Sequence, residues 1–345
     1  MSFVPWQWRP DTSAWFYRIV NLTDRWNSSE KLCLDEPSIR AAVVEAAEAQ
    51  CEWLIHPCLN PLTCPNDYLK DHRDLQLSVW TALHSEKDLG RVVLDQPVWL
   101  WSFDGGTMIE PGSHDLRQLA ERLCRDAPEL PIAIDPWSHS TKVKFHQLWR
   151  DAKPLREDER TTLQSELRLC VGSILRMKEM LPDCLSWICS RTKVIVPLRS
   201  LSGEHSSSSS AAELPGVVFL TLHNQVQAIE ALVHESAHQH LFMAESAGAL
   251  VSPDHDGMYS SPLRDDARPL RGILLAAHAL AFMKAYYEEA ISVSLASSSF
   301  LQEQLNKISN FYEDAYQTLS ANRGHLTERG NEFLHLTGEV GNYGD

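Results

Sequence analysis

Apolar residues recur at helical spacing through much of the first 200 residues. Residues 37–55 keep a period near 3.6 after Pro37, a residue that suits a first helical turn, and residues 115–126 begin at an acidic cap. The longest stretch with this rhythm is residues 155–181. The pattern therefore predicts a mainly helical N-terminal region.

Two short runs of β-branched and aromatic residues interrupt the helical pattern. Residues 192–198 (TKVIVPL) and 217–222 (VVFLTL) have the length and composition of strands. Between them, residues 200–215 (SLSGEHSSSSSAAELP) contain too few apolar side chains to pack, which predicts a flexible loop. We therefore expect a mainly α protein with a small β element (α+β class), divided into a helical region at 1–199, this loop, and a C-terminal region at 216–345.

Charge limits the partners of this chain. Its formal net charge is -15 over 345 residues, and 43% of the residues are hydrophobic, which is ample for a buried core. Nucleic acids and anionic membranes need a basic face, and no basic run occurs. We predict a globular protein that binds neither of them; nothing in the sequence indicates its oligomeric state.

Cysteine usage and the absence of apolar runs bear on location. Eight cysteines are dispersed without a CxxC pair, so no zinc ribbon or iron-sulfur cluster is indicated and reduced thiols are expected. No run of 18 apolar residues and no secretory leader pattern is present. A cytoplasmic location is the resulting expectation.

The stretch VHESAHQHL contains a candidate metal site. His234 and His238 are four residues apart, so on a helix they lie one turn above each other and can bind one ion, with Glu235 beside the same cavity. The same five-residue pattern also occurs as ordinary polar residues on a helix surface. Imidazole binds zinc and iron alike, so the motif does not name the metal.

A third ligand distinguishes the known classes of HExxH protein. A metzincin requires a histidine six residues after the second ligand, and Ala244 stands there, so that class is excluded. A zinc peptidase with Glu235 as general base could instead take a carboxylate from Glu288, Glu289 or Asp256. That alternative remains open from the sequence.

An arginine-rich segment, SPLRDDARPLR, precedes the next apolar helix. Arg264, Arg268 and Arg271 could present guanidinium groups to a carboxylate, which points to a dicarboxylate cosubstrate beside the metal. The alternative is structural, with Asp265 or Asp266 capping the helix and Arg264 on the surface.

The apolar helix after that segment carries one polar residue before Lys284. This residue, His278 in ILLAAHALAF, should be buried and therefore needs a partner. It is either a core histidine with a hydrogen bond or the third metal ligand, and we predict the ligand.

These motifs resemble a known family, the HExxH-type peptide β-hydroxylases that use non-haem iron and 2-oxoglutarate and act on ribosomally made peptides. The resemblance rests on LVHESAHQHLF (residues 232–242), preceded by the strand-like VVFLTL, and on SPLRDDARPLRGILLAAHA (residues 261–279). A weaker likeness lies in LTERGNEFLHL (residues 326–336). Leu263, Ala267 and Arg271 stand where the family has tryptophan, proline and often glycine, which affects substrate contacts more than the metal.

The resemblance implies an Fe(II)- and 2-oxoglutarate-dependent dioxygenase of natural-product biosynthesis. By position, His234 and His238 would bind iron, Arg264 and Arg268 would hold the 2-oxoglutarate carboxylates, and Glu235 would be a ligand or a neighbour of the ligands. The expected substrate is a peptide or a peptide-attached amino acid, oxidised at a C–H position such as the β-carbon. Residues 1–199 would then be the substrate-binding region and residues 216–345 the catalytic region that holds the metal and 2-oxoglutarate. A zinc peptidase and a binding protein with a degenerate metal helix remain the alternatives.

Overall fold

The protein is described here from a computed structural model. The structure describes residues 4–10, 41, 44–45, 90–95, 97–100, 107–125, 132–134, 152–154, 160–200, 208–212, 215–221 and 224–342. Most of the predicted helix at 37–55 lies outside these residues. Among the described cysteines, Cys170, Cys184 and Cys189 are free thiols, as expected.

The described residues before 130 include a short 3-10 helix (Pro5–Gln7) and, between residues 90 and 125, four short strands and a helix. Strand β1 (Arg91–Leu94) pairs antiparallel with β4 (Gly112–Asp115), and β2 (Val98–Leu100) pairs with β3 (Thr107–Ile109). Helix α1 (Leu116–Arg125) follows, and Asp115 Oδ1 accepts a hydrogen bond of 2.9 Å from the Gln118 amide. The predicted acidic cap is confirmed, whereas the four strands were not predicted.

A central five-stranded sheet joins the two halves of the chain. Its strands are β5 (Ala133–Ile134), β6 (Ala152–Pro154), β7 (Val194–Ser200), β8 (Ser208–Ser209) and β9 (Val217–Thr221). Strands β5, β7 and β9 are parallel neighbours, β6 pairs antiparallel with β7, and β8 pairs antiparallel with the other edge of β9. The two predicted strands are confirmed, but part of the serine-rich segment forms strand β8 instead of a loop.

Helices make up most of the described structure. They are α2 (Arg160–Met180), α3 (Pro182–Arg191), α4 (Gln225–Glu245), α5 (Leu270–Ser292), α6 (Ser298–Ala321) and α7 (Glu328–Gly341), with the hairpin β10 (Met258–Ser261) and β11 (Arg264–Pro269) between α4 and α5. The mainly helical fold class with small sheets is confirmed. None of the described helices is long and apolar enough to cross a membrane.

One hydrophobic core runs across the predicted boundary at 200–215. It includes side chains from the N-terminal Trp6, from α2 and α3, and from the C-terminal helices. Helix α5 lies at its centre because it is apolar on nearly every face, as its sequence predicts. The serine-rich segment therefore does not separate two cores.

Helix α4 carries the HExxH motif and is anchored along one side. The Asn224 side chain accepts a hydrogen bond of 3.0 Å from the Gln227 amide, which fixes the start of the helix. Its apolar stripe is buried, with Ile229, Val233, Ala237 and Leu241 inaccessible to solvent. Burying that stripe leaves the two histidines on the flank of the helix.

The C-terminal segment LTERG closes the other end of α4. The Arg329 guanidinium donates hydrogen bonds to the carbonyls of Ala244 and Ala247, and the Thr327 hydroxyl donates one of 2.8 Å to the Ala249 carbonyl. Ala244 is in the last turn of α4, where carbonyls lack the usual partner one turn further on, and Ala247 and Ala249 are in the segment that follows the helix. The weak C-terminal likeness to the family thus lies in residues that anchor the end of the HExxH helix.

Gly330 in this segment is expected to tolerate no side chain. A Cβ built there overlaps the carbonyl oxygen of Leu250, which is backbone and cannot move aside easily. We expect Gly330→Ala to lower the free energy of unfolding by roughly 3 kcal/mol. Urea denaturation measures the loss, and Gly324→Ala serves as the control because nothing lies within 4 Å of the added methyl group. Equal urea midpoints for the Gly330→Ala and Gly324→Ala proteins would contradict the close approach of the Leu250 carbonyl to Gly330.

Candidate functional site

A cavity of about 380 Å³ brings together the two sequence blocks that suggested chemistry. Its wall includes His234, Glu235 and His238 from α4 and Arg264 and Arg268 from strand β11. The edge strand β8 and the start of α5 complete the wall. The fold therefore brings a candidate metal helix and two candidate carboxylate-binding residues to one cavity.

The two histidines of α4 are close and differently oriented. Their ring centroids are 4.6 Å apart and the rings are nearly perpendicular, at 83°. His234 Nδ1 lies 3.2 Å from the sulfur of Met283, a weak acceptor, and His234 Nε2 lies 4.0 Å from Glu235 Oε1. Since Nδ1 has a partner within the protein, Nε2 is the nitrogen available to a ligand.

His238 is held in the form that binds metals. Burial, followed by the neighbouring His234, His278 and Arg271, holds the pKa of His238 well below its usual value, so the ring is neutral at pH 7. Its Nδ1 is buried and has no hydrogen-bond partner. A neutral imidazole with an unsatisfied nitrogen fits the donor set of a transition-metal site.

Glu235 places a buried carboxylate beside these rings. Its side chain is only 3% exposed. The Ser210 hydroxyl donates a hydrogen bond of 2.7 Å to Oε2, and Oε1 is the oxygen near His234. The cavity wall thus carries two imidazoles and one carboxylate from a single helix turn.

The arginines of β11 contribute positive charge to the same cavity. Arg268 Nε is buried without a hydrogen-bond partner, and the nearest carboxylate oxygen, Asp266 Oδ2, is 3.4 Å away. Arg268 packs over Gly272, where an added Cβ would lie 3.3 Å from the arginine Cβ. Arg264 is more exposed and lies nearer the hairpin turn. Both arginines therefore line the cavity that contains the HExxH side chains.

Arg271, the third predicted cosubstrate arginine, is placed elsewhere. Its Nε and terminal nitrogen donate to the two oxygens of Glu245 at 2.7 and 2.6 Å, and its guanidinium carbon lies 5.9 Å from the centroid of the Phe242 ring. It does not line the cavity. A bidentate carboxylate already satisfies this guanidinium, so Arg271 fastens α5 to the end of α4.

His278, the predicted third ligand, is also outside the cavity. Its ring is fully buried among Trp8, Phe282 and Phe333, and the Thr337 hydroxyl lies 3.5 Å from its Nδ1. Within the described residues, no group of three or more histidine, cysteine or acidic side chains is placed to hold a metal ion. His278 is therefore placed as a core histidine, the other possibility that its sequence position allowed.

Acid is expected to destabilise the protein more strongly when His278 is present. Burial lowers the pKa of His278 from 6.5 to about 3. Between these values the unfolded chain binds a proton that the folded protein does not, so the free energy of unfolding falls as the pH falls through this window. From pH 7 to pH 5, the wild-type protein should lose about 2 kcal/mol more than His278→Leu.

Urea unfolding curves at the two pH values, recorded with a chelator present, measure this difference. The chelator keeps metal binding from contributing to the pH dependence. Equal losses in the two proteins would show that His278 is not held neutral by the core.

The neighbouring His240 is structural as well. Its ring stacks on Trp187 with centroids 4.2 Å apart and an interplanar angle of 4°. Its Nε2 lies 3.1 Å from the Trp187 carbonyl oxygen, to which it can donate. His240 therefore points away from the cavity, as expected from its place two residues after His238.

The carboxylates proposed for a zinc peptidase lie away from the cavity. Glu288 Oε1 is 3.4 Å from the ammonium of Lys284, and Glu289 accepts a hydrogen bond from the Trp6 indole. Asp256 lies exposed before the β10–β11 hairpin. None of the three lines the cavity, so none is positioned as a third ligand there.

Sequence reasoning missed the serine-rich wall of the cavity. Ser208, Ser209 and Ser210 line it, although they belong to the segment predicted to be a loop. A run of five serines carries no hydrophobic alternation, so the sequence offered no signal for a strand here.

Neither a protein-family model nor a curated protein matches this sequence.

Proposed function

We propose that this protein is an Fe(II)- and 2-oxoglutarate-dependent oxygenase that oxidises a C–H position of a peptide or peptide-attached amino acid. One observation carries the proposal: the HExxH side chains and two arginines from a separate hairpin line the same cavity. A divalent metal with a dicarboxylate cosubstrate requires both kinds of group. The family resemblance of the same two blocks points to the same chemistry.

The α4 side chains suit a non-haem iron site. His234 and His238 would hold the metal, and Glu235 is the buried carboxylate on the wall beside them. Imidazole and carboxylate are the ligand types typical of non-haem Fe(II) oxygenases. Since no three such side chains within the described residues are placed to hold an ion, Glu235 would lie beside the two imidazole ligands or turn to join them. Bound iron with 2-oxoglutarate would supply the oxidising chemistry.

The hairpin arginines suit a dicarboxylate. Arg268 offers a guanidinium whose Nε is buried and without a hydrogen-bond partner, and it would donate charge-assisted hydrogen bonds to a carboxylate entering the cavity. Arg264 adds a second positive charge toward the mouth. Phe242 and Leu275 supply apolar wall that would limit the access of water.

A zinc peptidase is the second candidate, favoured by the buried Glu235 next to His234, where a general base would lie. Catalytic zinc has three protein ligands, and the three carboxylates proposed for that role lie away from the cavity. The two arginines have no necessary part in peptide hydrolysis. The geometry therefore favours the oxygenase.

Metal and cosubstrate binding separate the two candidates. Protein purified without oxygen and reconstituted with Fe(II) should bind 2-oxoglutarate, giving the visible absorption of a 2-oxoglutarate chelate, and should form succinate when oxygen is admitted. The zinc-loaded protein should not cleave casein. Full zinc occupancy as purified, together with no 2-oxoglutarate binding to the iron form, would overturn the proposal.

A further inference from the structure

The serine-rich segment contacts the metal helix through a single side chain. Ser210 follows strand β8, and its hydroxyl donates to Glu235 Oε2 at 2.7 Å, with the Glu235 carbonyl oxygen at 3.5 Å. We propose that Ser210 is a positioning residue that orients the Glu235 carboxylate toward the metal. This role rests on the metal site proposed above.

Burial makes this one hydrogen bond important for Glu235. A carboxylate that is 3% exposed has little access to water, and an unsatisfied buried carboxylate is costly. Within the described part of the chain, Ser210 is the only side chain that donates a hydrogen bond to it. Removing the hydroxyl therefore leaves the carboxylate free to turn toward another partner.

The hydrogen bond also distinguishes the two carboxylate oxygens. Oε2 is engaged by Ser210, so Oε1 is left on the side of His234, 4.0 Å from Nε2. Oε1 is thus the oxygen that would be available to an ion bound by the imidazoles. Groups that orient a metal-binding side chain in this way commonly affect metal affinity by about 10- to 100-fold.

The placement of Ser210 depends on the sheet. Strand β8 pairs antiparallel with β9 through Ser208 and Leu220 and through Ser209 and Phe219, and α4 follows β9 in the chain. The edge strand therefore carries Ser210 across the HExxH turn of α4.

Threonine and valine have nearly the same shape, so substituting each of them for Ser210 tests the effect of the hydroxyl alone. Ser210→Thr keeps a donor, whereas Ser210→Val replaces it with a methyl group of similar size. Ser246→Ala is the control, because it removes a hydroxyl that donates to the Met243 carbonyl at the far end of α4. Urea midpoints of all three proteins establish that the variants remain folded.

The readouts are the affinity for Co(II), used as a spectroscopic substitute for iron, and the visible spectrum of the Co(II) protein. We expect Ser210→Val to weaken Co(II) binding about 10-fold and to change the spectrum, while Ser210→Thr and Ser246→Ala resemble the wild type. Equal affinity and an identical spectrum for the valine and threonine variants would overturn the positioning role. A wild-type protein that binds no Co(II) would instead overturn the proposed function itself.

Discussion

Replacing His238 by alanine is expected to abolish metal binding and activity. His238 is one of two imidazoles on the cavity wall, and its neutral ring has a buried nitrogen without a partner. Because groups that merely support a ligand already account for 10- to 100-fold in metal affinity, loss of a ligand should cost more than about 100-fold. Metal analysis of the purified variant and calorimetric titration with Co(II) measure the loss.

Two other histidines provide controls for this experiment. His335 is exposed on α7, with 72% of its side chain accessible, so His335→Ala should keep full metal content. His278→Leu should also keep it, because His278 lies in the aromatic core and not on the cavity wall. A His238→Ala protein with the metal content of the His335→Ala protein would remove α4 from the metal site. Loss of metal in His278→Leu, with the fold intact at pH 7, would restore His278 as a ligand.

Replacing Arg268 by alanine is expected to weaken 2-oxoglutarate binding about 10-fold or more while leaving the metal in place. A hydrogen bond to a charged group contributes about 1.5 to 3 kcal/mol. Arg268 lines the cavity, but its side chain is 32% exposed and its buried Nε lies 3.4 Å from Asp266, so the lower end of that range applies to its contact with a bound carboxylate. Calorimetric titration of the anaerobic, metal-loaded protein with 2-oxoglutarate gives the change in Kd.

Arg271 provides a matched control for Arg268. It lies three residues further along the chain and has the same charge, but its guanidinium binds Glu245 outside the cavity. Arg271→Ala should therefore leave the Kd for 2-oxoglutarate nearly unchanged. Equal effects of the two substitutions would show only a general loss of positive charge and would contradict a specific carboxylate site at Arg268.

The parts of the site that lie on one helix could be predicted from sequence. The spacing of His234, Glu235 and His238 fixes their relative positions once α4 is a helix, and the apolar stripe of α4 predicts which side is buried. Strands β7 and β9 were predictable for a similar reason, since their β-branched residues are buried in the sheet.

The contribution of α5 could not be predicted in the same way. Arg271 and His278 are seven residues apart and so share one side of this helix, whereas the cavity wall takes Gly272, Leu275 and Ala276 from an adjacent side. Because α5 is apolar on nearly every face, its sequence does not show which side faces α4. For this reason the sequence predicts Arg271 and His278 at the site, whereas neither residue lines the cavity.

What the sequence by itself determined is local: helices α1, α2, α4 and α5, two of the strands, the spacing of the HExxH residues, and the arginines as candidate carboxylate ligands. Tertiary structure decided which of these groups meet, because the rotation of α5 and the position of the β10–β11 hairpin depend on packing between distant segments. It also decided the role of the serine-rich run. Strand β8 forms because the backbone of β9 has an edge to pair with, and backbone pairing needs no particular side chain. That pairing carries Ser210 to Glu235, and no pattern of hydrophobic and polar residues could have indicated it.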